Sequence, residues 1–92
     1  MKKLLILGSS KACKEMIAYA KSQGIYTIVT DYFPPEKSSA KLLADEYWMI
    51  STGDYDQLEI KCREEQVNGV CSGISTFNIP ATAELCKRLG LQ

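Results

Sequence analysis

The residues best suited to chemistry in this 92-residue chain are two short runs of glycine and hydroxyl side chains, each following an apolar segment. Gly8-Ser9-Ser10 comes after Leu4–Leu7, and Ser72-Gly73-Ile74-Ser75-Thr76 comes after Val67–Cys71. A glycine turn that leads straight into a helix presents unpaired backbone N–H groups and a helix dipole to an anion. In the first run Gly8 can make the turn and Ser10 can cap the helix, or the same turn can touch a ligand. In the second run the hydroxyls can hold a carboxylate or a phosphate, whereas capping the next helix needs only one of them. Asp31 ends another apolar run, about where an acid would hold a ribose in a dinucleotide-binding domain. The dinucleotide fingerprint G-x-G-x-x-G falls here on Gly8, Ser10 and Cys13, so only its first glycine is present. The second lets backbone approach a pyrophosphate, and the third lets the helix pack closely on the strand.

Other constellations are missing from the sequence. Without a histidine, Ser-His and Cys-His nucleophile pairs are excluded. Lys37-Ser38 lacks the glycines of a P-loop. Asp54 with Asp56, and Glu64 with Glu65, fall at helix-surface positions where acids are more often solvated than paired for proton transfer. Cys13, Cys62, Cys71 and Cys86 form no CxxC pair and no metal-ligand pattern. Each lies in an apolar context, as buried reduced thiols do, which points to the cytoplasm. Eleven basic residues balance eleven acidic ones with no dense basic block, so no nucleic-acid partner is expected. Lys11, Lys14 and Lys21 recur at helical spacing and read as a solvated face. Met1-Lys2-Lys3 imitates the start of a signal peptide, but the apolar run after it stops at Gly8. No segment approaches the ~20 apolar residues of a membrane span, so a soluble protein without a membrane partner is expected.

These residues need a scaffold. Four short apolar runs, Leu4–Leu7, Ile25–Val29, Tyr47–Ile50 and Val67–Cys71, have the near-continuous hydrophobicity of strands buried on both faces of a parallel sheet. Between them, Lys11–Gln23 carries an apolar stripe of Cys13, Met16, Ile17 and Ala20 and ends at Gly24. Tyr55–Gln66 begins after Asp54, which with Gln57 resembles a capping box, and Glu59 with Arg63 makes an i,i+4 pair. A third helix starts near Asn78 or Ile79, tolerates Pro80 in its first turn and stops at Gly90. Tyr32–Ala40, with Pro34 and Pro35, reads as a loop, and Lys41–Asp45 as one helical turn. One domain over residues 1–92 follows, of α/β class: a three-layer half-Rossmann fold with a four-stranded parallel sheet ordered 3-2-1-4. That order reverses between strands 1 and 4, and the two hydroxyl-bearing loops meet in the crevice beyond their carboxyl ends.

Lys3-Leu-Leu-Ile-Leu-Gly-Ser-Ser, Met16-Ile-Ala-Tyr-Ala-Lys-Ser-Gln-Gly24, Ile28-Val-Thr-Asp-Tyr, Ala44-Asp-Glu-Tyr, Val67-Asn-Gly-Val and Ala83-Glu-Leu-Cys-Lys-Arg-Leu-Gly-Leu91 together resemble the N-terminal, pre-ATP-grasp domain of ATP-grasp ligases. The closest branch looks carbamoyl-phosphate-synthase-like and biotin-carboxylase-like. The resemblance implies a ligase that phosphorylates a carboxylate with ATP and lets a nucleophile displace the phosphate, with magnesium neutralising the charge. It places ATP and Mg2+ in later lobes of the same polypeptide, with Gln92 at a domain border. This chain would then bind neither by itself, hold no catalytic residue, and supply one wall of the site for a carboxylate or amine substrate. Matched onto this sequence, the wall comprises Gly8, Ser9 and Ser10 and Ser72, Gly73, Ser75 and Thr76, where the family's turn often has further glycines. An apolar surface left where the lobes dock could drive self-association. Two other readings compete: a regulatory nucleotide- or dinucleotide-binding half-Rossmann module, and a scaffold or oligomerisation domain without a ligand.

Overall fold

The computed structural model describes residues 2–8, 11–31, 36, 39–72 and 78–91. The expectations at Ser9, Ser10, Gly73, Ser75 and Thr76, and the proline loop at 32–35, lie outside these residues. The elements run β1 (Lys3–Leu7), α1 (Lys11–Ser22), β2 (Tyr26–Thr30), α2 (Ser39–Leu43), β3 (Glu46–Trp48), α3 (Tyr55–Glu65), β4 (Gly69–Ser72) and α4 (Asn78–Leu89). All three strand pairings are parallel, and the order is β3-β2-β1-β4, as the sequence predicts.

Alternation along the strands divides the apolar side chains between two cores. Leu5, Leu7, Ile28 and Trp48 pack with Leu58 and Cys62 of α3 and Ala81 and Leu85 of α4. Ile6 and Val29 pack on the opposite face with Cys13 and Ile17 of α1 and Ala40 of α2. Every strand of a parallel sheet needs both faces covered, which explains why the runs read as continuously apolar.

Three helices end the same way. In α1 the Ile25 N–H reaches back to the Ala20 carbonyl over Gly24 (φ +74°), and in α4 the Leu91 N–H reaches Cys86 over Gly90 (φ +72°). In α3 the Val67 N–H reaches Cys62, but the left-handed residue is Gln66 (φ 56°). These are Schellman closures, each with an apolar residue just beyond the turn. They account for one departure from the sequence reading. Val67 closes α3, so β4 begins at Gly69, and Asn68 is held by its Oδ1 accepting from the Lys3 N–H at 2.8 Å. At the start of α3, Asp54 accepts from the Gln57 N–H at 3.3 Å, as the capping pattern predicts.

The third strand and the turn before it are also shifted from expectation. α2 spans Ser39–Leu43 rather than Lys41–Asp45, and it ends before Asp45 because that residue is used elsewhere. The Asp45 carboxylate accepts from the Thr27 N–H at 2.9 Å and the Thr27 hydroxyl at 3.0 Å, while its own N–H donates back to that hydroxyl at 3.1 Å. β3 therefore starts at Glu46. It ends at Trp48, short of the predicted Ile50, whose carbonyl instead accepts from the Thr30 hydroxyl at 2.7 Å. Helix α2 is anchored by Lys41, whose side chain is 0 % exposed and reaches the carboxyl end of β2. Its Nζ lies 2.9 Å from Asp31 Oδ1 and 3.0 Å from the Asp31 carbonyl, and it also meets Met49 Sδ at 3.2 Å.

Three outcomes follow from this scaffold. Lys41→Ala breaks a buried ion pair and should lower the unfolding free energy by ~3 kcal/mol in urea titration, whereas Lys41→Met combined with Asp31→Asn should recover most of that loss. Gln66→Gly relieves a left-handed non-glycine residue and should raise stability by ~1 kcal/mol, read as a higher denaturation midpoint with unchanged slope. The backbone hydrogen bond from Thr27 holds the Asp45 carboxyl below its usual range, reinforced by the Thr27 hydroxyl and by Lys21. An acid that is stronger when folded contributes stability above its unfolded pKa of about 3.9, and that stability is lost as pH falls through the folded value. Asp45→Asn should accordingly flatten the acid limb of the stability profile below pH ~4, followed by circular dichroism.

Candidate functional site

The site is built outward from the last paired row of the sheet. Leu7 lies opposite Thr30 of β2 on one side and Ser72 of β4 on the other. One residue further on, Gly8 leaves β1 with φ +101°, a conformation that favours glycine, and its N–H still donates to the Thr30 carbonyl at 3.0 Å. Gly8 thus stays stitched to β2 while the chain bends into α1. Its neighbour on the β2 side is Asp31, and on the β4 side the rim is formed by half-buried Ser72. Three of the expected site residues, Gly8, Asp31 and Ser72, are therefore gathered at one carboxyl edge, at the place where the strand order reverses.

Asp31 is not a solvated rim acid. It is 6 % exposed and its carboxylate faces the Lys41 ammonium inside the fold. Composition and periodicity gave no cue to Lys41 as a partner. The one available signal is that it is the only charged residue in the stretch Ser38–Ala44. The ammonium also lies 5.7 Å from the centre of the Tyr47 ring, so the end of β2, helix α2 and the end of β3 converge on it.

Cys13, at the place of the fingerprint's third glycine, is buried, with its Sγ 3.8 Å from the Leu7 carbonyl. A side chain thus fills the space in which a dinucleotide-binding helix would close onto its strand. The four cysteines are free thiols, of which Cys13 and Cys62 are buried. Burial pushes the Cys62 and Cys71 thiols up to about 11, which suppresses the thiolate a nucleophile needs.

Among the described residues, no group of three His, Cys, Asp or Glu side chains could hold a metal ion. Among the described residues, this edge presents the Gly8 turn, the end of β2 at Asp31 and the half-buried Ser72 over the reversal in the sheet. No helix of the described residues is long and apolar enough to cross a membrane.

No family model matches the chain. Over 84 residues it is 34% identical to a formate-dependent phosphoribosylglycinamide formyltransferase of Prochlorococcus marinus, a match covering 91% of this chain and 21% of that protein. Its fold superimposes on phosphoribosylglycinamide synthetase of Anaerococcus prevotii with a TM-score of 0.82 and 27% identity, over 99% of this chain and 23% of the other. The biotin carboxylase domain of the Hydrogenobacter thermophilus 2-oxoglutarate carboxylase shares the fold, with a TM-score of 0.77 at 20% identity, over 98% of this chain and 21% of that one. The chain spans about a fifth of the length of these relatives. In sequence and in fold, it matches the N-terminal domain of ATP-grasp ligases.

Proposed function

We propose that this chain is the acceptor-substrate wall of an ATP-grasp ligase whose acceptor is a phosphorylated amine of the phosphoribosylglycinamide type. The supporting observation is the convergence of Gly8, Asp31 and Ser72 on one carboxyl edge where the strand order reverses. One relative is named for formylating phosphoribosylglycinamide and another for making it, so the two names share the phosphoribosyl-amine class, and the first supplies the acceptor proposed here. Gly8, Ser9 and Ser10 on one side and Ser72, Gly73, Ser75 and Thr76 on the other would hold its polar groups, with Asp31 acting through Lys41 to fix the rim. In the acyl-phosphate mechanism of such ligases, a carboxylate oxygen takes the terminal phosphoryl group of ATP. The acceptor amine then attacks the acyl carbon, losing a proton as inorganic phosphate departs. The role of this chain is to position the amine, because alignment of the reacting groups removes much of the entropic barrier. ATP and Mg2+ belong to lobes outside the 92 residues, which is where the relatives have four-fifths of their length.

The competing reading, a dinucleotide sensor, is disfavoured by two details. The Asp31 carboxylate is committed to Lys41, and Cys13 occupies the close-packing position of the fingerprint. Calorimetric titration of the 92-residue chain separates the readings. Phosphoribosylglycinamide should bind and NAD and AMP should give no heat, and Gly8→Val should abolish the binding. Micromolar NAD or AMP binding, or indifference to phosphoribosylglycinamide, would reject the proposal.

A further inference from the structure

Helix α4 follows an edge strand, β4, whose four residues are all half-buried. Among its described side chains only Ala81 and Leu85 are buried, both in the core that α3 also fills. Helix α1, which connects the two central strands, buries Cys13, Ile17 and Ala20. Apolar contacts are non-directional. They hold α4 against the sheet without fixing how far it extends along α3.

That direction is supplied by Arg88, in the last turn of α4. Its Nε lies 2.8 Å from Glu84 Oε2 on its own helix, and its Nη1 lies 2.9 Å from Asp56 Oδ1 and 3.4 Å from Glu59 Oε1 on α3. The guanidinium also stands 5.6 Å from the centre of the Tyr55 ring. Glu59 turns its other oxygen, Oε2, to Arg63 at 3.0 Å, and Arg63 Nη2 donates in turn to the Arg88 carbonyl at 2.8 Å. The contacts thus close through both the side chain and the backbone of residue 88. Tyr55 and Asp56 open α3, whereas Arg63 stands in its last turn. Residue 88 is therefore tied to α3 at two levels, and a slide of α4 in either direction would break these ties. An isolated surface ion pair contributes little, but a planar fork shared by three carboxylates and an aromatic face is fixed in geometry.

We infer that Arg88 is a positioning residue for the β4 side of the rim: it sets the level of α4 along α3, and so the place from which α4 starts. That start, Asn78, is joined to Ser72 by residues 73–77, which include Gly73, Ser75 and Thr76. Roughly 15 Å of helix separates Arg88 from Asn78, and an α-helix passes an axial displacement along its whole length. The partners of Arg88 among the described residues all belong to α3 and α4. It acts on the rim through the helix and not by touching a ligand. Its bearing on binding rests on the acceptor reading of the rim proposed above.

Two measurements on the 92-residue chain test this, with circular dichroism confirming a retained fold in every variant. In the ligand-free chain, Arg88→Met should speed amide exchange at the end of β4 and from Thr82 to Leu85 by about tenfold or more, while the amides of β1 and β2 keep their rates. Arg88→Lys, which keeps the charge but not the fork, should give a smaller increase. Lys87→Met, at an exposed neighbour in the same turn, should give none. In calorimetric titration with phosphoribosylglycinamide, Arg88→Met should weaken binding by about tenfold, Arg88→Lys by less, and Lys87→Met not at all. If the unaltered chain does not bind phosphoribosylglycinamide, the acceptor reading fails and the exchange rates alone decide the role of Arg88. The inference is overturned by exchange at the end of β4 that Arg88→Met leaves unchanged, or by exchange that quickens equally in β1 and β2. Binding that Arg88→Met leaves at full strength would overturn it as well.

Discussion

Strand β1 is hydrogen-bonded on both sides, to β2 from Lys3 to Leu7 and to β4 from Leu4 to Leu7, with both partners running in its own direction. Parallel pairing forces each connection to cross back over a face of the sheet through a helix. α1 must cover one face on its way to β2 and α3 the other on its way to β4, which is what the two separate cores record. The carboxyl end of β1 is then the one position from which successive crossovers diverge. The rim made by Gly8, Asp31 and Ser72 is a consequence of that divergence, so the candidate site is located by backbone direction before any side chain is considered.

At this rim the sheet is held by a buried charge pair. An isolated ammonium inside a protein is expensive, and a buried pair often contributes less stability than apolar residues of the same shape. Lys41 offsets its desolvation with the Asp31 carboxylate, the Asp31 carbonyl, the Met49 sulfur and the face of Tyr47. An apolar residue could fill the volume but could not select which segments meet there. The pair therefore fixes how β2, α2 and β3 end relative to one another.

Much of this was legible in the residues. Strand order followed from short branched runs alternating with helical periods, and Gly24, Gly90 and Asp54 marked helix ends because their conformations or side-chain acceptors are hard to replace. The Glu59–Arg63 pair also forms, at 3.0 Å, and is joined by Arg88 from α4, which neither spacing nor propensity could show. Other features were hidden for physical reasons. The helix ends where the sequence reading put it, at Gln66, but that residue adopts a left-handed conformation without being a glycine, so the form of its cap had no cue in the sequence. Lysine is normally a surface residue, and its burial at position 41 depends on an acid ten residues earlier that only the folded chain brings near. Asp31 looked like a ribose ligand because its place in the strand was right, while its partner could not be seen.

The central claim is that a polar acceptor is held at the carboxyl edge between β1 and β4. Crystals of the chain soaked with phosphoribosylglycinamide test it most directly. The account predicts difference density for the ligand over Gly8, between Asp31 and Ser72. Density instead at the opposite, amino edge beside Lys21, Gly24 and Asp45, or on an outer helix face, would contradict it.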